Sequence, residues 1–475
     1  MTQTGDMTSS RVGGFMSAPP IAVGAQSTVL EVAQVMKTRN VSCVLVTSDD
    51  QLLGIVTASD LVNRVLAMGL GTDTRVAAIM TADPQTVDIN ALGHDSLLMM
   101  ARERLGHLPV MQGDSLVGIV TRSDLLAGQV GSAGLMVVEI GRARTVDAVA
   151  AVVRRLSRLL THLVNNNTRP EIVTRLMTDV ADASTSRFLA FAEQELGAPP
   201  VRYLWLACGS QGRQEQTGVS DQDNCLILSD EFKPEHDAYF KAMAERVSAA
   251  LDQCGYFFCP GDMMASNPRW RQPLHVWQSY FDEWIRQPVV EAQMLASVMF
   301  DLRPIHGASE LFEGLHQRTL QAARRNSIFI AHMVSGVTRS APPLGLLGGL
   351  STIRSGKHKR HIDFKHSGVV PVVDLARLYA LQGQLLPVNT RARLTAARDT
   401  ALISASGAHD LLDAYDLFCQ IRLEHQVRQI SNGEPPDNFV DPGELSDLER
   451  EHLRRAFGVI KTMQSAALQG RGVLT

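Results

Sequence analysis

Apolar positions along the first 130 residues form short extended runs, Cys43 to Val46 and Leu108 to Met111. Each is preceded by a segment of helical spacing, Thr28 to Thr38 and Leu92 to Arg104. After each run come a turn (Ser48-Asp49-Asp50; Gly113-Asp114), a second extended run, and a helix opening at Ser59 or Ser123. The pattern predicts a β-α-β-β-α unit, twice. Its two copies are 64 positions apart: MSAPPIAV from Met16 matches MTADPQTV from Met80, and GIVTASDL from Gly54 matches GIVTRSDL from Gly118. A constant offset over two separated motifs marks a duplicated structural unit.

The rhythm then changes. From Gly131 to Pro199 apolar residues recur at helical spacing (Val146, Val149, Val152, Val153, Leu156, Leu159, Leu160), with an interruption at Asn165 to Asn167 and Pro170. Two or more helices are expected, ending in a turn at Pro199-Pro200. They either carry a shift of the repeat toward the next segment or complete that segment's core. Next come two apolar runs, Tyr203 to Ala207 and Cys225 to Leu228, around a Gly209-Ser210 break and a polar stretch, which predicts strand, tight turn, short helix, strand. Glu235 to Cys254 has the spacing of an amphipathic helix, and the spacing of Trp270, Trp277 and Trp284 points to packing on one helical face. Residues 309 to 475 are helical by pattern, with breaks at Ala341-Pro342-Pro343, Gly348-Gly349 and Asn432 to Pro442.

Chemistry concentrates between Gly209 and Leu228. On a strand, Asp221 and Asp223 point to one face, and two carboxylates held together raise one another's pKa unless a cation lies between them. A divalent ion, magnesium or manganese, satisfies both and leaves positions for phosphate oxygens. Gly209 permits close backbone approach, and Ser210 with neighbouring backbone N–H groups can hold phosphate. These parts describe a nucleoside triphosphate site with metal-assisted phosphoryl chemistry. Arg213 can balance triphosphate charge or be a surface arginine, and Glu215 can pair with it. A basic segment, Lys357, His358, Lys359, Arg360, His361, Lys365 and His366 around Asp363, is either a solvated surface or a patch with a use toward a polyphosphate.

Gly-Ser after a strand, followed by Asp-x-Asp opening a second strand, resembles the nucleotidyltransferase superfamily typified by DNA polymerase beta and kanamycin nucleotidyltransferase. The string GSQGRQEQTGVSDQDN resembles more specifically the DUF294 type, related to the branch of the PII-protein uridylyltransferase. That resemblance implies catalytic roles for Asp221 and Asp223 as metal ligands, and nucleotide binding by Gly209, Ser210 and Arg213. It also implies a third carboxylate from a later strand, for which Asp262 lies in about the right place, although Pro260-Gly261 breaks the strand before it. Ile362 to Leu381 resembles the helical substrate-binding domain of the same branch, making Lys357, Lys359, Arg360 and Lys365 candidate substrate-binding residues. The amino-terminal repeat resembles a pair of CBS motifs, named after cystathionine β-synthase, which commonly bind adenine nucleotides. By that resemblance Thr57 and Thr121 face phosphate, and Asp60 and Asp124 the ribose hydroxyls. The same four residues also make a sound helix cap.

The expected architecture is a multidomain α+β protein. It comprises a flexible tail (1–14), a tandem CBS pair (15–129), a helical connector (130–199), a polymerase-beta-like nucleotidyltransferase core (200–305) and an all-helical substrate-binding domain (306–475). The expected reaction moves a nucleoside monophosphate from a nucleoside triphosphate donor to an acceptor hydroxyl on a protein, a tyrosine by resemblance, or on a small molecule. Adenine nucleotide at the CBS pair would regulate it. The alternative is an inactive nucleotide-sensing scaffold working through protein partners. Hydrophobic residues make up 45% and charged residues 20% of the 475, and the net charge of −4 gives no reason to expect nucleic acid as a partner. No apolar run is long enough to span a membrane, and MTQTGDMTSSRVGG lacks the apolar core of a signal peptide, so the cytoplasm is the expected location. The six scattered cysteines are expected as reduced thiols, mostly buried, and a homodimer through the flat face of the CBS pair is expected.

Overall fold

The structure, a computed structural model, describes residues 11–39, 41–48, 51–127, 133–288, 295, 298–345 and 349–469. The chain forms two compact units, Met1–Gly141 and Arg142–Thr475.

In the first unit β1 (Ala22–Gly24), β2 (Cys43–Ser48) and β3 (Gln51–Thr57) surround the helix Val29–Arg39. The second copy follows with β4 (Thr81–Ala82), β5 (Val87–Asp88), the helix Gly93–Arg102, β6 (His107–Gln112) and β7 (Ser115–Thr121). The duplication extends to register: Cys43 pairs with Thr57 in one antiparallel hairpin, His107 with Thr121 in the other. The repeated motifs meet crosswise. β4, from the lead-in of the second copy, pairs with β3 of the first, and Ser17, from the lead-in of the first, bridges Ile119 in β7. Gly54 and Gly118 make this possible, because a Cβ on either would sit 2.9 Å from a backbone oxygen, of Thr81 or of Ser17. Each copy has its own apolar core, one around Val32, Val44 and Val56, the other around Leu97, Leu108 and Val120.

The tail expected over 1–14 lies outside the described residues up to 10. From Arg11 on it is structured: Val12 is fully buried and its N–H donates to the Ala91 carbonyl, 2.8 Å.

In the second unit, helices Val146–Val153, Leu156–Asn165 and Pro170–Leu196 lead to the sheet. The pattern's interruption is visible as the end of one helix at Asn165 and a proline in the first turn of the next, where its missing N–H costs nothing. β8 (Tyr203–Ala207) pairs antiparallel with β10 (Asn224–Leu228), and the sheet is completed by β12 (Arg271–Pro273), parallel to β10, and β13 (Arg303–Gly307), antiparallel to β8. β9 (Asp221–Gln222) instead pairs in parallel with β11 (Phe257–Phe258). Behind the sheet Trp270, Trp277 and Trp284 cluster, and the Trp277 indole N–H donates to the Leu226 carbonyl, 2.9 Å.

The helices Glu310–Arg325, Ser327–Val337, Val370–Gly383, Thr390–Asp399, Ala405–Ser431 and Asp447–Gln469 follow. β14 (Ile362–Asp363) and β15 (Phe439–Val440) form a small antiparallel pair among them. One apolar core runs from Leu206 and Ile227 on the sheet, through the tryptophans, to Phe329, Phe364, Phe418 and Phe457 on the helices. The sheet and the carboxy-terminal helices, expected as 200–305 and 306–475, therefore bury a common core. Most of the expected connector belongs to this unit too: Arg303 on β13 ion-pairs with Asp182 of the helix Pro170–Leu196, and that helix's Thr178 accepts from the Gln216 N–H. Of its two expected roles, completing the core is the one its packing demonstrates.

Candidate active site

β8 is followed by a buried Cys208, and the chain turns at Gly209 with φ +56°. A side chain is strained at that angle, and here there is no room for one: a Cβ on Gly209 would lie 2.3 Å from Asp223 Oδ2. Gly212, three residues on, faces the Asp301 carbonyl oxygen, 2.0 Å from where its Cβ would be. The two glycines thus press the turn against the strand that delivers Asp223 and against the segment that delivers Asp301.

Asp223 stands between β9 and β10, and the Cys208 N–H donates to its carbonyl, 2.9 Å. Asp221 and Asp223 do converge. The group that joins them is the Cys259 thiol: one ligand atom from each of the three lies within 4.8 Å of the other two. Burial first, then the charge of Asp221, pushes the Asp223 carboxyl up to about 6, against the opposing effects of the Cys259 hydrogen bond, Lys365 and Arg213. Burial and Asp223 together push the Cys259 thiol up to about 11. A carboxylate made this uncomfortable by its neighbours fits a cation, and the pair of oxygens suits magnesium or manganese.

Asp262 does not complete the group. Cys259 to Asp262 is a closed turn in which the Asp262 N–H donates to the Cys259 carbonyl, 2.9 Å, and Asp262 itself has φ +53°. That rotation turns its exposed carboxylate toward the Asn267 amide, 2.8 Å away. The next strand beside β10, β12, carries Arg271 and Gln272 and no carboxylate.

Arg213 lines the site but its charge is already matched. It ion-pairs with Glu215 at 2.7 Å and with Asp301 at 2.6 Å. Asp301, fully buried, also binds Arg377 and Arg393, each at 2.6 Å. Burial alone would raise its carboxyl, but Arg377, Arg393 and Arg213 hold it well below the usual carboxylate range. Nothing in the sequence pattern singles out Asp301, because its partners are 76 to 92 positions away along the chain.

These residues form one wall of a cavity of about 460 Å³. Gly209, Ser210, Arg213, Asp221 and Asp223 lie on it, and the helices supply His332, Arg339, Lys365, Asp374 and Arg377 with an apolar strip of Met333, Val337, Val370 and Val373. Of the basic segment, Lys365 and His366 are in this lining. Lys357, Lys359 and Arg360 are exposed on a turn outside it, where His358 between them stacks on Phe439, ring centroids 3.7 Å apart.

In the first unit a cavity of about 1050 Å³ is lined by Thr57, Asp60, Thr121 and Arg122 together with Ser42 and His107, which hydrogen-bond each other at 2.8 Å. Thr57 and Asp60 form a closed cap, Thr57 Oγ1 donating to Asp60 Oδ2 at 2.7 Å, and Thr121 and Asp124 repeat it at the same distance. Asp124 is turned to Thr121 and does not join the lining.

No helix among the described residues is long and apolar enough to cross a membrane. Family models match three parts of the chain: a CBS domain over 12–67 and again over 76–131, "Putative nucleotidyltransferase DUF294" over 154–291, and the matching substrate binding domain over 327–470. CBS domain-containing protein YhcV of Bacillus subtilis is 30% identical over 120 residues, 25% of this chain and 86% of that protein. Hypoxic response protein 1 of Mycobacterium tuberculosis is 33% identical over 121 residues, 25% of this chain and 83% of that one. Meiotically up-regulated gene 70 protein of Schizosaccharomyces pombe is 41% identical over 95 residues, 20% of this chain, and the match spans 13% of its own length. Among solved structures, Hypoxic Response Protein I with two coordinated zinc ions is 28% identical over 26% of this chain and 100% of that one, with a TM-score of 0.24. CBS domain protein PAE2072 from Pyrobaculum aerophilum complexed with AMP is 24% identical over 25% of this chain and 91% of that one, also with a TM-score of 0.24. The chain belongs to the DUF294 nucleotidyltransferase family, with a tandem CBS pair before the transferase domain and the family's substrate-binding domain after it.

Proposed function

We propose that the second unit transfers a nucleoside monophosphate from a nucleoside triphosphate to an acceptor hydroxyl, and that adenine nucleotide in the cleft of the CBS pair regulates it. The carrying observation is the convergence of Asp221, Asp223 and the Gly209-Ser210 turn on one cavity whose helical wall brings Lys365. A divalent ion held by Asp221 and Asp223 would supply charge neutralisation at the reacting phosphate. Ser210 would orient phosphate oxygens, and Lys365, close enough to act on Asp223, would bind the negative charge that builds up on the leaving pyrophosphate. The acceptor oxygen bonds to the α-phosphorus, the bond from the α-phosphorus to the oxygen bridging to the β-phosphate breaks, pyrophosphate leaves, and the acceptor's proton passes to solvent. The related uridylyltransferase branch favours a protein tyrosine as acceptor and UTP or ATP as donor, with action in the cytoplasm as the setting.

One observation favours a second reading, a nucleotide-sensing scaffold: among the described residues no third carboxylate joins Asp221 and Asp223. Incubation with each α-labelled ribonucleoside triphosphate, magnesium and a cell extract separates the two. Label transferred by the wild type and lost in an Asp221→Ala/Asp223→Ala double variant supports the transferase. Nucleotide bound without transfer under any condition refutes it and leaves the scaffold.

A further inference from the structure

Cys259 reaches the carboxylate pair by register. β11 runs parallel to β9, with Phe257 opposite Asp221 and Phe258 opposite Gln222. Continuing the register by one residue sets Cys259 opposite Asp223. The chain leaving the turn after it is pinned to Asn224: the Asn224 N–H donates to the Met263 carbonyl at 3.0 Å, and the Asn224 side-chain oxygen accepts from the Ala265 N–H at 2.8 Å. The same turn carries Asp262 away. The thiol is therefore held where the resemblance led us to expect a carboxylate.

Resting on the transferase reading of this cavity, we propose that Cys259 is the third protein ligand of the metal site and biases it toward borderline cations, cobalt or zinc, over magnesium. The dimensions suit this. A metal–sulfur bond of about 2.3 Å and metal–oxygen bonds of about 2.0 to 2.2 Å set the ligand atoms of one tetrahedral ion about 3.3 to 3.7 Å apart. The three ligand atoms lie within 4.8 Å of one another, so side-chain rotation that closes them by about 1 Å brings all three onto one ion. Magnesium takes near-octahedral oxygen sites, whereas a thiolate is a soft ligand that it does not favour. On ligation the Cys259 thiol gives up its proton to solvent, so each ion bound releases one proton from this group.

The test uses the full chain, reduced, with Co²⁺ as the probe. Wild type is expected to develop a near-ultraviolet thiolate-to-cobalt charge-transfer band that saturates at one equivalent. Cys259→Ser is expected to lose that band and at least about tenfold in Co²⁺ affinity. Cys259→Asp is expected to narrow the preference for Co²⁺ over Mg²⁺, measured by competition calorimetry, by at least about tenfold. Proton release, from calorimetry in two buffers of different ionisation enthalpy, should fall by one per ion in Cys259→Ser. The wild-type spectrum needs no variant to fold. Cobalt bound through Asp221 and Asp223 with no thiolate band, or a band that persists in Cys259→Ser, overturns the proposal and leaves the transferase reading standing. No ion bound by the wild type overturns both.

Discussion

Gly209 and Asp223 are in contact so close that the hydrogen on the glycine α-carbon occupies the only space left beside the carboxylate; a methyl group there would lie 2.3 Å from Oδ2. The turn that would hold phosphate and the aspartate that would hold the metal are thus one mechanical piece. Gly209→Ala must move Asp223 and strain a left-handed backbone, at a cost of about 1 to 3 kcal/mol. The expected result is a lower melting midpoint together with lost divalent-cation binding, read by calorimetry. Gly314, in the helix Glu310–Arg325 with nothing within 4 Å, is the control. Gly314→Ala should raise stability by about 0.5 to 1 kcal/mol.

Asp301 pairs with three arginines at once. Its removal leaves Arg213 to Glu215 and Arg377 to Asp374, and leaves the buried Arg393 with no carboxylate among the described residues. Asp301→Ala is expected to cost about 3 to 5 kcal/mol, measured by urea unfolding. Its carboxyl is held well below the usual range in the folded protein. For a depressed carboxyl the stabilisation is complete above the unfolded-state pKa and is lost as pH falls through the folded one. Acid unfolding of the wild type should therefore be steep below the ordinary carboxylate range, and the isosteric Asp301→Asn variant should flatten it.

Asp223 has the opposite sign. Its folded carboxyl is raised to about 6, so it binds its proton more tightly folded than unfolded. The associated stabilisation is full below the unfolded-state value and disappears as pH rises through about 6. A cation competes with that proton. Divalent-ion affinity is expected to climb from pH 5 to about 7 and then level off, and Asp221→Asn, by removing the neighbouring charge, should shift the climb to lower pH.

In the CBS pair the side chains expected to meet ligand are closed on each other as helix caps. Thr57→Ala is expected to cost about 1 kcal/mol whether or not any nucleotide binds. AMP should raise the wild-type melting midpoint, and Asp60→Ala should abolish that rise; an undiminished rise would remove Asp60 from the binding site.

The duplication, the sequence of strands and helices, and the Asp-x-Asp with its Gly-Ser partner were legible because each is a local pattern. Cys259 was not singled out, since scattered cysteines in apolar runs read as buried thiols; the parallel pairing of β11 with β9 that gives it a neighbour spans 36 positions. Asp262 misled for a related reason: its distance from the aspartate pair along the chain was right, but the Pro260-Gly261 turn reverses its direction. Arg213 was recognised as a cation near the site with Glu215, two residues on, as a partner, while the buried Asp301 that also matches it lies where only tertiary packing brings it.

The crosswise pairing of the two CBS copies has a consequence for a chain cut between them. Each copy donates its lead-in to the other, Ser17 to Ile119 and Thr81 to Ile55. A single copy expressed alone would keep an unpaired sheet edge and a donor segment with nowhere to go. Two such fragments can satisfy both by trading arms, so a domain-swapped dimer, rather than a folded half, is the stable product of separating what duplication joined.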